Sequence, residues 1–444
     1  MSKIVILGFG SAGYAALMSI RRQNSKHEIV VIDNKDYDLL HPCGLPYSLE
    51  GMVEEEGLSQ NIGLDKMRVT KIKGTAQRIS QDKKIIVETQ EGQQEIDFDK
   101  AIITTGNKVK IPPIDGLKEY IGKGIFTLTG IEDLRNIKSM AQSGSTACVI
   151  GAGAIGLEAA VALKELGMDV TVIEGMNEVL PGVLDSDMTG TVEQYLTSHN
   201  IKCNLGSFIK SLSKDGSTFT LQSEDKHFTA DLCVLATGFG PDLSIAENSK
   251  IEYNQNGIVV NEKLETSMDS VYGAGDCIDT WSVIDNKEIA AKLATSAYKQ
   301  GTAAGINCAG GDFSYKGSAG TFVTKIGHLE VAGTGFNTEE AKKRGYKTAT
   351  GKINTHILPD YFPDNNQIVV KIIFDSETGK IIGAQAIGKK GAAERVNIIS
   401  TAIEFSIKID ELQRLEMAYC PAVSEVYDPL MRAVDFGLRR MKKK

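Results

Sequence analysis

Ile4-Val5-Ile6-Leu7-Gly8-Phe9-Gly10-Ser11-Ala12-Gly13 is an apolar run that ends in three glycines, and the segment 14–22 behind it is amphipathic. The run reads as a buried parallel strand, the glycines as a tight turn, and the rest as a helix start. Such glycines let the backbone come close to a pyrophosphate, whose charge the helix N-terminus holds. Twenty residues past Gly13, Glu28-Ile29-Val30-Val31-Ile32 ends in Asp33, an acceptor placed for both hydroxyls of an adenosine ribose.

The pattern recurs. Ala147-Cys148-Val149-Ile150 runs into Gly151-Ala152-Gly153-Ala154-Ile155-Gly156, and Val170-Thr171-Val172-Ile173 ends in Glu174. Each copy is closed by a strand that meets a glycine, Ile102-Ile103-Thr104-Thr105-Gly106 in the first and Val234-Leu235-Ala236-Thr237-Gly238 in the second. Four matched elements in one order make an internal repeat of a whole domain, so two bound dinucleotides are expected.

At 444 residues the chain is too long for one core and suits about three domains. Its hydrophobic fraction of 42% and charged fraction of 24% are those of an ordinary soluble protein. The net charge of -8 is spread in both signs along the chain, which speaks against nucleic acid as a partner. The basic cluster Arg439-Arg440 with Lys442-Lys443-Lys444 reads as a solvated tail. No apolar run reaches the roughly 18 residues of a membrane span, and the N-terminus enters a strand at once. A cytoplasmic protein with no membrane partner is expected.

Seven cysteines show neither paired metal spacing nor Cys-x-x-Cys, so no metal site is expected. Cys148 and Cys233 sit in apolar strand-like runs and read as small core hydrophobes; Cys203 and Cys308 look equally inert. A disulfide framework is not expected in a reducing compartment. Cys43 differs, standing alone in His41-Pro42-Cys43-Gly44-Leu45-Pro46-Tyr47.

Taken in order, residues 8–13, the Cys43 turn, residues 151–156, Val271-Tyr272-Gly273-Ala274-Gly275-Asp276 and Tyr419-Cys420-Pro421-Ala422-Val423-Ser424 resemble one family along essentially the whole chain. It is the single-cysteine branch of the FAD-dependent pyridine nucleotide-disulfide oxidoreductases: coenzyme A disulfide reductases, NADH oxidases and NADH peroxidases. The resemblance implies an α/β fold with two Rossmann-like dinucleotide-binding domains, for FAD and NAD, and a C-terminal α+β dimerisation domain. It implies an FAD domain over 1–112 with a return segment over 241–318, an NAD(P)H domain over 113–240, a dimerisation domain over 319–444, and a homodimer. Ile368-Val369-Val370-Lys371-Ile372-Ile373-Phe374 and Gly379-Lys380-Ile381-Ile382-Gly383-Ala384 would be strands of the last.

By the same resemblance FAD would lie on Gly8, Gly10, Ser11, Ala12, Gly13, Asp33, Thr105, Gly106, Gly275 and Asp276, with residues 294–301 a helix facing the flavin. The nicotinamide coenzyme would lie on Gly151, Gly153, Ala154, Ile155, Gly156, Glu174 and Gly238, with Glu158 orienting the nicotinamide. Glu174 would bond the ribose hydroxyls and repel a 2′-phosphate, and Gly175, Met176 and Asn177 offer no arginine to neutralise one. NADH is therefore expected, with NADPH left open.

Reduced flavin passes two electrons to a sulfur only if that sulfur is already oxidised, as a sulfenic acid, a disulfide or a mixed disulfide. In two-cysteine relatives the partner lies five residues on, where this chain has Ser48. Cys43 is then expected to cycle as a sulfenate or a mixed disulfide, unless a cysteine from elsewhere approaches; helix dipole and backbone amides would favour its thiolate. Oxidases and peroxidases of the branch usually carry a His in the first glycine loop, where Ser11 stands here. Coenzyme A disulfide reductases match in the Cys43 turn and in two C-terminal tyrosines, here Tyr361 and Tyr419, which could protonate a departing thiolate or be plain interface aromatics. Cys420-Pro421 replaces a His-Pro that reaches across from the partner subunit in two-cysteine relatives. Cys420 is thus either a resolving thiol for Cys43 of the other subunit or an adventitious small residue. Arg21 and Arg22 are candidates for coenzyme A phosphates and His41 for a proton donor, each against a purely structural role.

The reading is a homodimeric FAD- and NAD(P)H-dependent reductase of a low-molecular-weight disulfide, persulfide or polysulfide, with coenzyme A among the candidate thiols. An NADH oxidase forming water or hydrogen peroxide is the enzyme alternative. A redox-sensing or electron-transfer flavoprotein acting on a protein partner is the alternative of another class.

Overall fold

The computed structural model describes residues 2–363 and 365–441; Lys442, Lys443 and Lys444 of the basic tail lie outside the described residues. The chain forms two compact units. One holds the residues through Pro42, Glu55–Lys110 and Phe239–Gly320; the other holds Cys43–Glu54, Ile111–Gly238 and the residues from Thr321 on.

The first unit is built on a five-stranded parallel sheet in the order Val271–Gly273, Lys100–Ile103, Lys3–Leu7, Glu28–Asp33, Val69–Lys73. Ile4 to Leu7 at its centre are fully buried, as a strand covered on both faces requires. The helix Ser11–Gln23 follows the first glycine loop. Gly8 takes φ +87°, and a Cβ there would stand 2.5 Å from the carbonyl oxygen of Thr104, so the loop lies flush against the end of the neighbouring strand. The late helix Ala294–Cys308 packs on Ser11–Gln23, and a Cβ on Gly301 would lie 2.1 Å from Ala12 O. Segments almost three hundred residues apart in sequence thus close on one loop.

The second unit repeats the motif. Its parallel sheet runs Ile125–Phe126, Leu232–Leu235, Thr146–Ile150, Asp169–Ile173, Lys202–Asn204, and the helix Ala154–Glu165 follows the second glycine loop. The same unit contains an antiparallel sheet in the order Phe322–Ile326, Leu329–Gly335, Ile381–Gly388, Gln367–Asp375, Thr348–His356, flanked by the helices Ala392–Glu404 and Pro429–Met441. The segment Cys43–Glu54 belongs to this unit because its short helix Leu45–Glu50 packs on Ala154–Glu165 and Ile131–Met140.

Candidate active site

The two glycine loops share one geometry. The inner glycines face backbone: a Cβ on Gly13 would stand 2.5 Å from Gly8 O, and one on Gly156 would stand 2.1 Å from Gly151 O. The outer glycines, Gly10 and Gly153, meet nothing within 4 Å, which leaves an open cradle at the start of each helix. The acidic residue at the second strand's end braces each loop. Asp33 Oδ2 accepts the N–H of Phe9 at 2.6 Å, and Glu174 Oε2 accepts the N–H of Ala152 at 2.8 Å. Glu174 Oε1 also accepts the N–H of Met176 at 2.8 Å. Such cradles fit a dinucleotide pyrophosphate above a helix N-terminus with a carboxylate nearby for the ribose.

Ser11 opens the first helix, and Gly106, Gly238 and Gly275 take the left-handed φ values of +74°, +90° and +85° at the turns that close the two repeats and the return strand. Asp276 follows that strand; burial pushes its carboxyl up, opposed by Asn107, whose Nδ2 donates to Oδ2 at 2.6 Å, and by Lys292. Lys292 is itself pushed down by burial and donates to Asn256 O at 2.7 Å and Ile278 O at 2.6 Å. Asn107 and Lys292 carry no motif, and sequence reasoning missed both.

Cys43 is exposed in the 3-10 turn Pro42–Gly44, which runs directly into the helix Leu45–Glu50. Ser48, at the position of the second cysteine in two-cysteine relatives, is fully buried, and Lys138 Nζ donates to its hydroxyl at 3.3 Å. Tyr47, one turn beyond Cys43, donates its phenol to Glu158 Oε1 at 2.9 Å. The same oxygen takes the hydroxyl of Thr324, and the Lys325 N–H also points at the carboxylate. Burial raises the affinity of Glu158 for a proton while these three donors oppose the rise. The Tyr47 phenol is pushed far up by burial, then by Glu158, with a contribution from Cys43. Glu158 is therefore a half-buried carboxylate tying three stretches of chain together. Thr324 and the Tyr47 to Glu158 bond had no sequence signal.

Tyr361 and Tyr419 come together on the C-terminal sheet domain, their side chains hydrogen-bonded although they are 73% and 50% exposed. Cys420 is exposed beside them at the start of a turn whose N–H groups at Val423 and Ser424 return to Cys420 O. The remaining cysteines suit an inert role: burial raises Cys148 and Cys308 to about 12 and Cys203 to about 11, and pushes Cys233 and Cys277 up as well. Arg21 is committed to its own unit, its guanidinium donating to His27 O at 2.7 Å and Arg68 O at 2.8 Å, so the phosphate role considered for it does not fit. Arg22 and His41 are exposed. Among the described residues no helix is long and apolar enough to cross a membrane.

Two glycine loops at helix starts, one exposed cysteine at the head of a helix and a C-terminal antiparallel sheet are the parts of an FAD-dependent NAD(P)H oxidoreductase, the class to which the chain's family assigns it. Residues 2–301 match the pyridine nucleotide-disulphide oxidoreductase family and residues 321–431 its dimerisation domain, and the chain belongs to that family. It is 32% identical over 453 residues to an NADH oxidase of Methanocaldococcus jannaschii, covering 100% of both chains. It is 30% identical to a CoA-dependent NAD(P)H sulfur oxidoreductase of Pyrococcus furiosus, covering 97% of each. The solved NAD-dependent persulfide reductase from A. fulgidus superimposes with a TM-score of 0.94 at 31% identity, over 99% of this chain and 84% of that one.

Proposed function

We propose that this protein reduces a low-molecular-weight disulfide, persulfide or polysulfide, with coenzyme A the foremost candidate thiol, and that Cys43 is its redox sulfur. The observation that carries the reading is the pairing of exposed Cys43 with buried Ser48: the thiol meets solvent, and no second thiol follows it in its own helix. An oxidised Cys43 then holds oxygen, a small-molecule sulfur or, across a dimer, the sulfur of Cys420. The names of the Pyrococcus and A. fulgidus proteins support the sulfur. Bound FAD would supply the relay from NAD(P)H hydride to a sulfur–sulfur bond.

In this reading the first glycine loop with Asp33, Thr105, Gly106, Gly275 and Asp276 holds FAD. The second loop with Glu174 and Gly238 holds the coenzyme, and Glu158 orients its nicotinamide. Tyr361, Tyr419 and Cys420 act as acid and resolving groups toward Cys43 of the other subunit in a homodimer. The division into FAD segments, NAD(P)H segment and dimerisation segment, and a cytoplasmic location, belong to the same proposal.

Anaerobic titration with NADH, followed by mass spectrometry of Cys43 and Cys420, tests it. The expected result is uptake of two reducing equivalents before the flavin bleaches, with a small thiol released from Cys43, and loss of both in Cys43→Ser. Immediate bleaching with Cys43 a thiol throughout would overturn it. For Cys420→Ser the expected result is at least tenfold slower disulfide turnover with normal flavin reduction; unchanged turnover removes Cys420 from the chemistry. The name of the M. jannaschii relative favours a second reading, oxygen reduction. Stoichiometric oxygen uptake during NADH turnover without any disulfide would establish it.

A further inference from the structure

The Tyr47 phenol carries one proton, and both the carboxylate it meets and the thiol one turn before it can gain from that proton. Glu158 Oε1 holds it at 2.9 Å. Cys43 lies four residues earlier on a continuous helical path through the turn Pro42–Gly44 into Leu45–Glu50, the spacing that puts side chains on one face. A thiolate and a carboxylate cannot both take the phenolic proton. While the O–H points at Glu158, its oxygen presents lone pairs elsewhere; once released, the same dipole can turn toward sulfur.

We infer that Tyr47 is a positioning residue through which Glu158 sets the balance between thiol and thiolate at Cys43. The inference rests on the reading of Cys43 as the redox sulfur. A charged acceptor binds a phenol about twice as strongly as a neutral one, so the carboxylate form of Glu158 keeps the dipole away from Cys43. Anything that neutralises Glu158 frees it. Thr324 belongs to the same device: its hydroxyl shares Oε1 with Tyr47 and tempers the pull of the carboxylate on the phenol.

Other charged and titratable groups surround this cluster. Glu50 on the same short helix and Lys325 from the strand Phe322–Ile326 face Glu158, Lys138 from Ile131–Met140 donates to Ser48, and Glu165 farther along Ala154–Glu165, Tyr195 from Ser186–Ser198 and His328 after the strand gather around Glu50. All act in every variant alike and so cancel in a comparison of differences.

The experiment is a double-mutant cycle on the fully reduced holoenzyme, reading the pH midpoint of Cys43 alkylation by iodoacetamide through peptide mass spectrometry. Glu158→Gln is expected to lower the midpoint by about one pH unit, a tenfold rise in thiolate on the acid side, when Tyr47 is present. With Tyr47→Phe in the background the same substitution is expected to shift the midpoint by less than half as much, since only the through-space loss of the carboxylate charge remains. Thr324→Val, a milder change, is expected to raise the midpoint, again only with Tyr47 in place. An equal shift from Glu158→Gln in both backgrounds, or a Thr324→Val effect that survives Tyr47→Phe, overturns the inference. Alkylation needs no substrate, so an additive cycle leaves the redox reading of Cys43 intact. Full disulfide turnover by Cys43→Ser would sink that reading without touching the cycle.

Discussion

At the scale of single residues, Asp33 and Glu174 show how far a sequence can be read. Each ends the second strand of a repeat, and strand order alone predicts a carboxylate beside the ribose. The structure adds that each carboxylate also braces its own glycine loop through a backbone N–H. The bond from Tyr47 to Glu158 spans 111 residues and that from Thr324 to Glu158 spans 166, and no local pattern announces either. Glu174 makes coenzyme preference testable. Its Oε1 accepts the Met176 N–H at 2.8 Å, while the Met176 side chain itself is exposed, so in the proposed reading a cation placed there could meet a 2′-phosphate. Glu174→Ser with Met176→Arg removes the repulsion and supplies a cation. The ratio of kcat/KM for NADPH over NADH is expected to rise at least about tenfold, some 1.4 kcal/mol, in steady-state assays with each coenzyme. An unchanged ratio would mean that discrimination lies elsewhere in the pocket.

At the scale of elements, the strand Gln367–Asp375 is the instructive case. Ile368-Val369-Val370-Lys371-Ile372-Ile373-Phe374 announces a strand, and the ammonium of a lysine on it would ordinarily reach water. Lys371 is instead 5% exposed, its ammonium 2.7 Å from Asp185 Oδ2 and also bonded to Asp187 at the start of the helix Ser186–Ser198. The sequence shows the strand but not its cover, because the partners come from a loop and a helix nearly two hundred residues upstream. Breaking a buried ion pair leaves an uncompensated charge, so Lys371→Met is expected to cost on the order of 3 kcal/mol in guanidinium unfolding. It also carries a pH signature. Burial pushes the Asp187 carboxyl up, but Lys371 and Lys352 outweigh it and hold the carboxyl below its usual range. The folded state then binds its proton less readily than the unfolded chain. The stability this confers is present above the ordinary carboxylate value of about 4 and is lost as pH falls through the lower folded value. In Lys371→Met this acid-side slope should flatten; an identical slope in both proteins would show that the pair contributes nothing.

At the scale of the whole molecule, the residues proposed to bind FAD and those proposed to face a second copy belong to different units. The first glycine loop, Asp33, Asn107, Asp276 and Lys292 all belong to one unit, whereas the exposed apolar residues Phe405, Val423, Val426 and Tyr427 belong to the other, inside or next to the matched dimerisation domain. Val423 is 73% and Val426 65% exposed, and Tyr419 and Tyr427, close to them in sequence, are open to water as well, the kind of apolar surface that marks an interaction site. A second copy of the chain covers it in the proposed homodimer, and Cys420, three residues before Val423, is carried to that same surface. Val423→Asp with Val426→Asp places two charges on a face that must otherwise desolvate, and sedimentation velocity is expected to show monomers at concentrations where the wild type is dimeric. Flavin content should stay normal, since the first glycine loop with Asp33 and Asp276 lies in the other unit, and NADH should still bleach the flavin, since the second glycine loop is untouched by either substitution. Disulfide turnover is expected to fall at least tenfold, because each Cys43 would lose the tyrosines and Cys420 supplied by its partner. A monomer that turns over at the wild-type rate would confine the chemistry to one chain and return Tyr361, Tyr419 and Cys420 to the role of interface residues.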